Sequence, residues 1–262
     1  MTKDCEIKPN MIKQPLWYDV SLSNEHLDYL WKICNEAKIK KKDYRQHLIG
    51  NISSSYELID EGNYFWNSVL CKLSSLASEN FEPDSSNKFI DYSDYGLENS
   101  NHIAYLRDWW VNYQYKHEFN PLHDHSGLYS FVIWLKIPYS AKERSNLDFL
   151  KGLKERDKKA GVFEIQYCNS LGNTVNYVYP LSKEWEGKMI FFPSKLQHCA
   201  HPFYNTDEEK VSISGNIWLK PVKPSDIVPR ENDNNMVSEY TVPKKINKKM
   251  KWKSLSDLGI EV

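Results

Sequence analysis

The pattern of apolar positions divides the chain into a helical first part and a strand-rich second part. One helix can begin at Ser23 or Asn24 and place four apolar side chains on one face, namely Leu27, Leu30, Trp31 and Cys34. A second helix fits about residues 62–79, where the apolar side chains again share one face. The pattern therefore predicts α-helical support over residues 1–87.

From about residue 88 the chain changes to short runs rich in β-branched and aromatic residues, separated by turn-like pieces. These runs are FIDYSDY, HIAYLRDWWVNYQYK, LYSFVIWLKIP, GVFEIQY, NTVNYVYPL, GKMIFFP and KVSISGNIWLK. Seven or eight short strands without helices between them predict a mainly β protein, an antiparallel sandwich or jelly roll. We expect a single domain over residues 1–262, in which residues 88–222 form the β core and the helices pack against one sheet from outside.

Two segments depart from the strand pattern. Residues 139–161 are too charged for a core strand, so they predict an insertion, partly helical, between two strands. Residues 223–262 form a polar tail that becomes basic, with six lysines within ten residues, Lys244, Lys245, Lys248, Lys249, Lys251 and Lys253. Such a tail is either a solvated end of the chain or a contact for an anionic partner.

Composition narrows the class of protein. Lysine and arginine number 34 and aspartate and glutamate 35, so no net field draws the chain toward nucleic acid or an anionic membrane. Neither of the common glycine-rich nucleotide motifs occurs. The five cysteines are scattered without a CxxC pair, and no apolar run suits a membrane span or a secretory signal. We expect a cytoplasmic protein with no membrane contact.

The candidate chemistry lies in two histidine windows, HEFNPLHDHS and FFPSKLQHCAHP. Successive side chains of a strand alternate between its faces, so His123 and His125 would project to one side and Asp124 to the other. Two imidazoles on one face can chelate a transition metal, and His198, which follows the buried run MIFFP, is the natural third ligand. The alternative is a polar strand end that binds no metal.

A cation and a hydroxyl group follow the second window. Lys210 comes twelve positions after His198 and opens a strand, and Ser212 lies two residues further along. Because residues two apart on a strand share a face, the pair could hold one carboxylate of a dicarboxylate. A surface lysine that merely precedes a strand is the alternative.

These elements resemble the Fe(II)- and 2-oxoglutarate-dependent oxygenases, whose double-stranded β-helix carries a His-x-Asp/Glu…His triad followed by a basic residue and a serine. The likeness is greatest to a group of oxygenases from tailed phages of marine bacteria, with H-x-H, FPS-x-L-x-H and R-x-S elements. This chain has PLHDHSGLYSFVIWLKIP, GKMIFFPSKLQHCAHPF and KVSISGN, so the resemblance covers about residues 105–219. It implies Fe(II), 2-oxoglutarate and O2, with ascorbate as an optional reductant, and a host-cytoplasmic protein if the gene is a phage gene.

The resemblance also implies roles for individual residues. It implies the metal ligands His123, His125 and His198, with His198 preferred to His201. If His125 does not ligate, the iron has only two protein ligands from this pattern or, less favoured, Asp124 is the substitute. It implies that Lys210 and Ser212 hold the far carboxylate of 2-oxoglutarate, with Asn112, Tyr113 and Ser130 as weaker cosubstrate contacts. Tyr113 and three further aromatic residues would wall the substrate pocket, namely Tyr115, Tyr129 and Trp134. No catalytic residue beyond the metal site is expected.

Two positions depart from the family pattern. His125 stands where a carboxylate is usual, so an all-histidine set would bring no negative charge to the iron. Lys210 stands where arginine is common, and lysine offers a point charge rather than a bidentate fork.

The implied reaction converts 2-oxoglutarate to succinate and CO2 and hydroxylates an unidentified substrate, for which a protein side chain such as proline is preferred to a small molecule. Two other classes stay open: a cupin-type metalloprotein, and a non-enzymatic jelly-roll module that binds a ligand or belongs to a virion. The cupin pattern places a glutamate shortly after the second histidine, where this chain has Leu128, Tyr129 and Ser130.

Overall fold

The computed structural model describes residues 17–81, 101–140, 143–144, 146–222 and 240–242. Its helices are α1 (Asn24–Lys40) and α2 (Cys71–Phe81), the latter preceded by a π-helical turn at Trp66–Leu70. Its strands are β1 (Tyr18–Ser21), β2 (Ser54–Glu57), β3 (Asn101–Gln114), β4 (Asn120–His123), β5 (Tyr129–Lys136), β6 (Phe163–Cys168), β7 (Thr174–Tyr179), β8 (Lys188–Pro193), β9 (Gln197–Ala200), β10 (Lys210–Val222) and β11 (Tyr240–Val242).

The eight consecutive strands β3–β10 are divided between two antiparallel sheets. The larger sheet has the order β1-β8-β5-β10-β3-β11, with β2 also paired to β3, and the smaller sheet has the order β4-β9-β6-β7. Four of the eight strands lie in each sheet, and long connections carry the chain from one sheet to the other. This winding is the double-stranded β-helix, or jelly roll, and the fold prediction is therefore confirmed.

The two helices cover the outer face of the larger sheet. Ser23 is the N-cap residue of α1. Its hydroxyl accepts a hydrogen bond from the His26 backbone N–H at 3.3 Å, as the sequence predicts. Leu30 of α1 and Leu70 of the π-helical turn are fully buried in one cluster with Ile213 of β10. Because this face of the sheet is filled by apolar packing, a cavity can form only on its other face, between the two sheets.

The sequence prediction differs from the structure in the first 87 residues and at two short strands. Residues 1–87 are not wholly helical, because β1 and β2 pair with edges of the larger sheet. The short strands β4 and β9 were not predicted. Within the described part of the insertion 139–161, the regular structure consists of short helical turns, such as Asp148–Leu150 and Glu155–Asp157.

Several predictions concern residues outside those described. The run FIDYSDY and the six lysines of the tail are among them, so the anionic-partner hypothesis stays a prediction. No helix in the described ranges is both long and apolar enough to cross a membrane.

Gly215 on β10 gives a test of this packing. A Cβ atom at this position would lie 2.6 Å from Phe131 Cζ and 2.8 Å from Trp109 Cβ, closer than van der Waals contact allows. We expect Gly215→Ala to lower the free energy of unfolding by about 1–3 kcal/mol, measured by urea denaturation. In a Phe131→Leu background the same change should destabilise less, because the ring that it meets is gone. An equal loss in both backgrounds would contradict the steric explanation.

Candidate metal centre

A cavity of about 410 Å³ lies between the two sheets, and three histidines line it. β4 and β9 are neighbours in the smaller sheet, and their register places His123 directly opposite His198. His125 follows β4, and its backbone N–H donates to the Ser194 carbonyl at 2.9 Å, which holds this segment beside the cavity. Two strands and one tethered loop thus bring the three imidazoles together.

The spacing of the three rings suits one metal ion. One nitrogen from each ring lies within 4.8 Å of the other two. The Nε2 atoms of His125 and His198 are 3.1 Å apart. Two nitrogen ligands about 2.1 Å from a shared ion and at right angles to each other would be about 3.0 Å apart. This pair is therefore already close to the spacing of two adjacent ligands.

Backbone carbonyl groups fix the orientation of two of the rings. His123 Nδ1 lies 2.7 Å from the Pro121 carbonyl oxygen, and His198 Nδ1 lies 2.9 Å from that of Leu196. A carbonyl oxygen only accepts, so Nδ1 is the protonated nitrogen in both rings and Nε2 keeps its lone pair. This is the usual support of a metal-binding histidine.

Burial keeps these imidazoles neutral. It lowers the pKa of His123 and lowers that of His198 well below the ordinary value, with the neighbouring histidines contributing further to His198. For His125, burial is again the largest cause, and the pKa is about 3. All three rings are therefore unprotonated at neutral pH, the state that a metal ligand requires.

The neighbouring candidates Asp124 and His201 lie outside this trio. The Asp124 side chain is at the edge of the cavity and 41% exposed, and its carboxylate oxygen lies 3.5 Å from Lys195 Nζ. His201 lies on the opposite face of the smaller sheet from His198, with its Nε2 3.1 Å from a Glu164 oxygen. The structure therefore brings His123, His125 and His198 together. Neither of the alternative ligands, Asp124 and His201, is part of this group.

A polar stripe crosses the same cavity on β10. Side chains at alternate positions of this strand line it, namely Lys210, Ser212, Ser214 and Asn216. Lys210 is only 2% exposed, and burial lowers the pKa of its amine to about 7. Among the described residues, no carboxylate forms an ion pair with this amine. An anion in the cavity could therefore meet an unpaired, buried ammonium group.

The adjacent strand β3 adds amide groups to this stripe. Asn112 is opposite Ser212 in the register, and Gln114 is opposite Lys210. Both amides are buried and line the cavity. The Ser55 hydroxyl donates to Asn112 Oδ1 at 2.6 Å, so the Asn112 NH2 group stays available as a donor. The predicted cosubstrate residue Asn112 is thus beside Lys210 and Ser212.

The structure corrects three of the predicted aromatic contacts. Tyr113 lies on the helix-facing side of β3, where its hydroxyl donates to the Cys34 carbonyl at 3.1 Å. Tyr115 follows the strand, is 38% exposed and donates to Glu209 at 3.0 Å. Tyr129 packs on Phe191 in the helix-side core. The cause is alternation along a strand: Asn112 faces the cavity, so its neighbour Tyr113 must face away.

Trp134 and Ser130 lie at or just behind the cavity wall, unlike the three tyrosines. Trp134 lines the cavity, as predicted. Ser130 lies behind the lining: its hydroxyl donates to Asn216 Oδ1 at 2.8 Å and is 3.0 Å from the Ser194 hydroxyl. Ser130 therefore holds the lining residue Asn216 in place, and the expectation of a direct cosubstrate contact is corrected.

Several lining residues were missed by the sequence analysis. Near the histidines these are Tyr44, His47, Arg107, Asp108, Trp110 and Trp218. Tyr44 stacks on Trp110 with ring centroids 5.4 Å apart, and the Arg107 guanidinium lies 4.1 Å from the centre of the Trp218 ring. Trp110 could have been found, because it shares a strand face with Asn112. The position of Tyr44 depends on the packing of a distant segment, for which the sequence has no local signal.

Comparison with known families agrees with this geometry. Residues 108–216 match the family model described as "Putative 2OG-Fe(II) oxygenase". The likeness to this family thus covers about two fifths of the chain, the part that contains the cavity-lining strands. The matched segment includes the three histidines together with Lys210 and Ser212. No protein of curated function matches the chain.

Several solved structures resemble the chain distantly. A Pseudomonas putida prolyl-4-hydroxylase has 13% identity and a TM-score of 0.43, over 76% of this chain and 90% of that one. A Trichoplax adhaerens prolyl hydroxylase, in complex with a hypoxia inducible factor peptide fragment, has 11% sequence identity and a TM-score of 0.42. The alignment covers 78% of this chain and 82% of that one. The epimerase SnoN from nogalamycin biosynthesis has 10% sequence identity and a TM-score of 0.47. The alignment covers 87% of this chain and 94% of that one.

Proposed function

We propose that this protein is an Fe(II)- and 2-oxoglutarate-dependent dioxygenase that hydroxylates a protein side chain. The single observation that carries the proposal is that three convergent, neutral imidazoles and one unpaired buried lysine share a cavity. A metal site alone suits many functions, whereas an added buried cation indicates an anionic ligand beside the metal.

His123, His125 and His198 would hold the iron. Imidazole nitrogens suit iron, and three ligands on one side of the ion leave its other positions open. Bound there, Fe(II) would supply the oxygen activation that hydroxylation requires, with O2 as the oxidant. Because His125 replaces a carboxylate, the site has one negative charge fewer than the family pattern. An anionic cosubstrate would therefore be attracted more strongly to it.

Lys210, Ser212 and Asn112 would hold the far carboxylate of 2-oxoglutarate. The ammonium group would form a charge-assisted hydrogen bond, and the hydroxyl and amide N–H groups would add neutral ones. The cavity of about 410 Å³ lies within the ordinary range for small-molecule sites. The lysine and the histidines both line it, so a short dicarboxylate could reach from one to the other.

The aromatic residues near the histidines support a peptide as the substrate. Tyr44, Trp110 and Trp218 give this part of the cavity an aromatic lining, and Arg107 and Asp108 add one charge of each sign. Proline-containing segments bind aromatic-lined grooves well, because their extended conformation is already formed before binding. We therefore propose a prolyl side chain of a protein as the first substrate to test, with free proline as the small-molecule comparison.

The proposal is tested with the full chain loaded anaerobically with Fe(II). We expect 2-oxoglutarate to bind only to the metal-loaded protein, and O2 to start succinate formation that a chelator or Zn²⁺ substitution abolishes. Reactions with and without ascorbate show whether a reductant is required. Loaded protein that neither binds 2-oxoglutarate nor forms succinate would overturn the proposal and favour a cupin-type metalloprotein. Protein that binds no metal would favour the non-enzymatic module.

A further inference from the structure

A second trio of metal-ligating side chains lies on the outer face of the smaller sheet. It consists of Glu164 on β6, Cys199 on β9 and His201 just after β9, and we call it the outer trio. One ligand atom from each lies within 4.8 Å of the other two. We propose that the outer trio is a second metal site, selective for Zn²⁺, and that it binds independently of the histidine site.

Strand register explains why the outer trio forms. Glu164 and Cys199 are directly opposite each other in the antiparallel pairing of β6 with β9. His201 comes two residues after Cys199 and so returns to the same face. His198 directly precedes Cys199 and therefore faces the other side of the sheet, where it lines the cavity. The two sites are therefore back to back across one sheet, and no side chain can serve both.

The distances in the outer trio are those of adjacent zinc ligands. Cys199 Sγ is 3.4 Å from His201 Nε2, which is 3.1 Å from Glu164 Oε2. In a tetrahedral zinc site, with bonds of about 2.3 Å to sulfur and about 2.0 Å to nitrogen or oxygen, the corresponding separations are about 3.5 Å and 3.3 Å. These two separations differ from the zinc values by only about 0.1–0.2 Å, the third lies within 4.8 Å, and a water molecule can take the fourth position.

The chemistry of the donors favours zinc over iron. A thiolate, an imidazole and a carboxylate form a softer and more negative set than three imidazoles. On coordination Cys199 releases its thiol proton to solvent, so two anionic ligands balance the charge of the ion. The Glu164 side chain is only 8% exposed and already has a cation, because Lys159 Nζ lies 2.8 Å from its oxygen. The Lys159 side chain is 31% exposed and can withdraw into solvent when a metal ion replaces it.

Cobalt distinguishes the two sites by spectroscopy. Titration of the full chain with Co²⁺ should load two ions, and a sulfur-to-cobalt charge-transfer band in the near ultraviolet should come from the outer trio alone. Cys199→Ser should remove the band and one equivalent of bound cobalt. His198→Ala should remove the other equivalent and leave the band, so the outcome does not depend on oxygenase activity. A single bound ion without the band, or a band that persists in Cys199→Ser, would overturn the proposal.

A variant at Lys159 should strengthen metal binding at the outer trio, whereas Cys199→Ser should remove it. Lys159→Met removes the ammonium group that competes for Glu164, and we expect cobalt to bind the outer trio at least several-fold more tightly. Zn²⁺ added to the cobalt-loaded protein should bleach the band before it displaces cobalt from the histidine site. Unchanged affinity in Lys159→Met would show that Glu164 is not a ligand and would overturn the three-residue site.

Discussion

Replacing His198 with alanine is expected to abolish iron binding and, with it, 2-oxoglutarate turnover. His198 supplies the nitrogen at the centre of the site, opposite His123 and 3.1 Å from His125 Nε2. Two remaining imidazoles cannot form a three-ligand set. Loss of a group that hydrogen-bonds to a metal ligand typically costs about 10–100-fold in metal affinity, so loss of the ligand itself should exceed about 100-fold. Equilibrium dialysis with Fe(II) and an assay of succinate would measure both effects.

His201→Ala is the matched control for this change. His201 lies three residues further along the chain but faces the other side of the sheet, so its loss should leave iron binding and turnover unchanged. Because the His198 ring packs between Phe163 and Phe192, its removal leaves a cavity, so circular dichroism must accompany the binding measurement to show that His198→Ala is folded. Equal iron affinity in His198→Ala and the unaltered protein would contradict the assignment.

The fold was predictable from sequence where strands are long and alternate cleanly. The prediction failed for β4 and β9, which have only four residues each and whose pairing is irregular at His123. It also failed for β1 and β2, because these short edge strands gain their stability from the larger sheet rather than from their own residues. Local patterns thus predicted the architecture, whereas short strands depend on tertiary pairing.

The site was predictable only where the chemistry of a residue limits its role. Histidine pairs are rare enough in strands to be noticed, and the family resemblance singled out Lys210, whereas tyrosine suits both a pocket wall and an apolar core. Asn112 and Tyr113 are adjacent on β3, so at most one can face the cavity, and the pairing with Ser212 decides which. That register is a property of the folded sheet. The register also shifts between Asn216 and Ile217, which brings both Arg107 and Asp108 to the cavity.

Replacing Lys210 with methionine should stabilise the fold and remove cosubstrate binding. Burial lowers the pKa of the amine from its ordinary value of 10.5 to about 7, and this difference corresponds to roughly 4 kcal/mol of destabilisation at neutral pH. Methionine fills a similar volume without that cost, so we expect the free energy of unfolding to rise by about 2–4 kcal/mol. Urea denaturation would measure the gain, and anaerobic titration would show the loss of 2-oxoglutarate binding. A destabilised variant would show that the amine is paired in the folded protein.

The pH dependence of the same variant gives an independent test with a defined sign. The unfolded chain keeps its proton up to about pH 10, whereas folded Lys210 loses it near 7, so the unfolded state binds more protons between these values. The stabilisation by methionine should therefore be full at or below pH 7 and disappear as the pH approaches 10. Cosubstrate binding requires the charged amine, so its affinity should fall about tenfold for each pH unit above 7. In Lys210→Arg the side chain stays charged, and the affinity should not fall over this range. A parallel decline in Lys210→Arg would assign the pH dependence to another group.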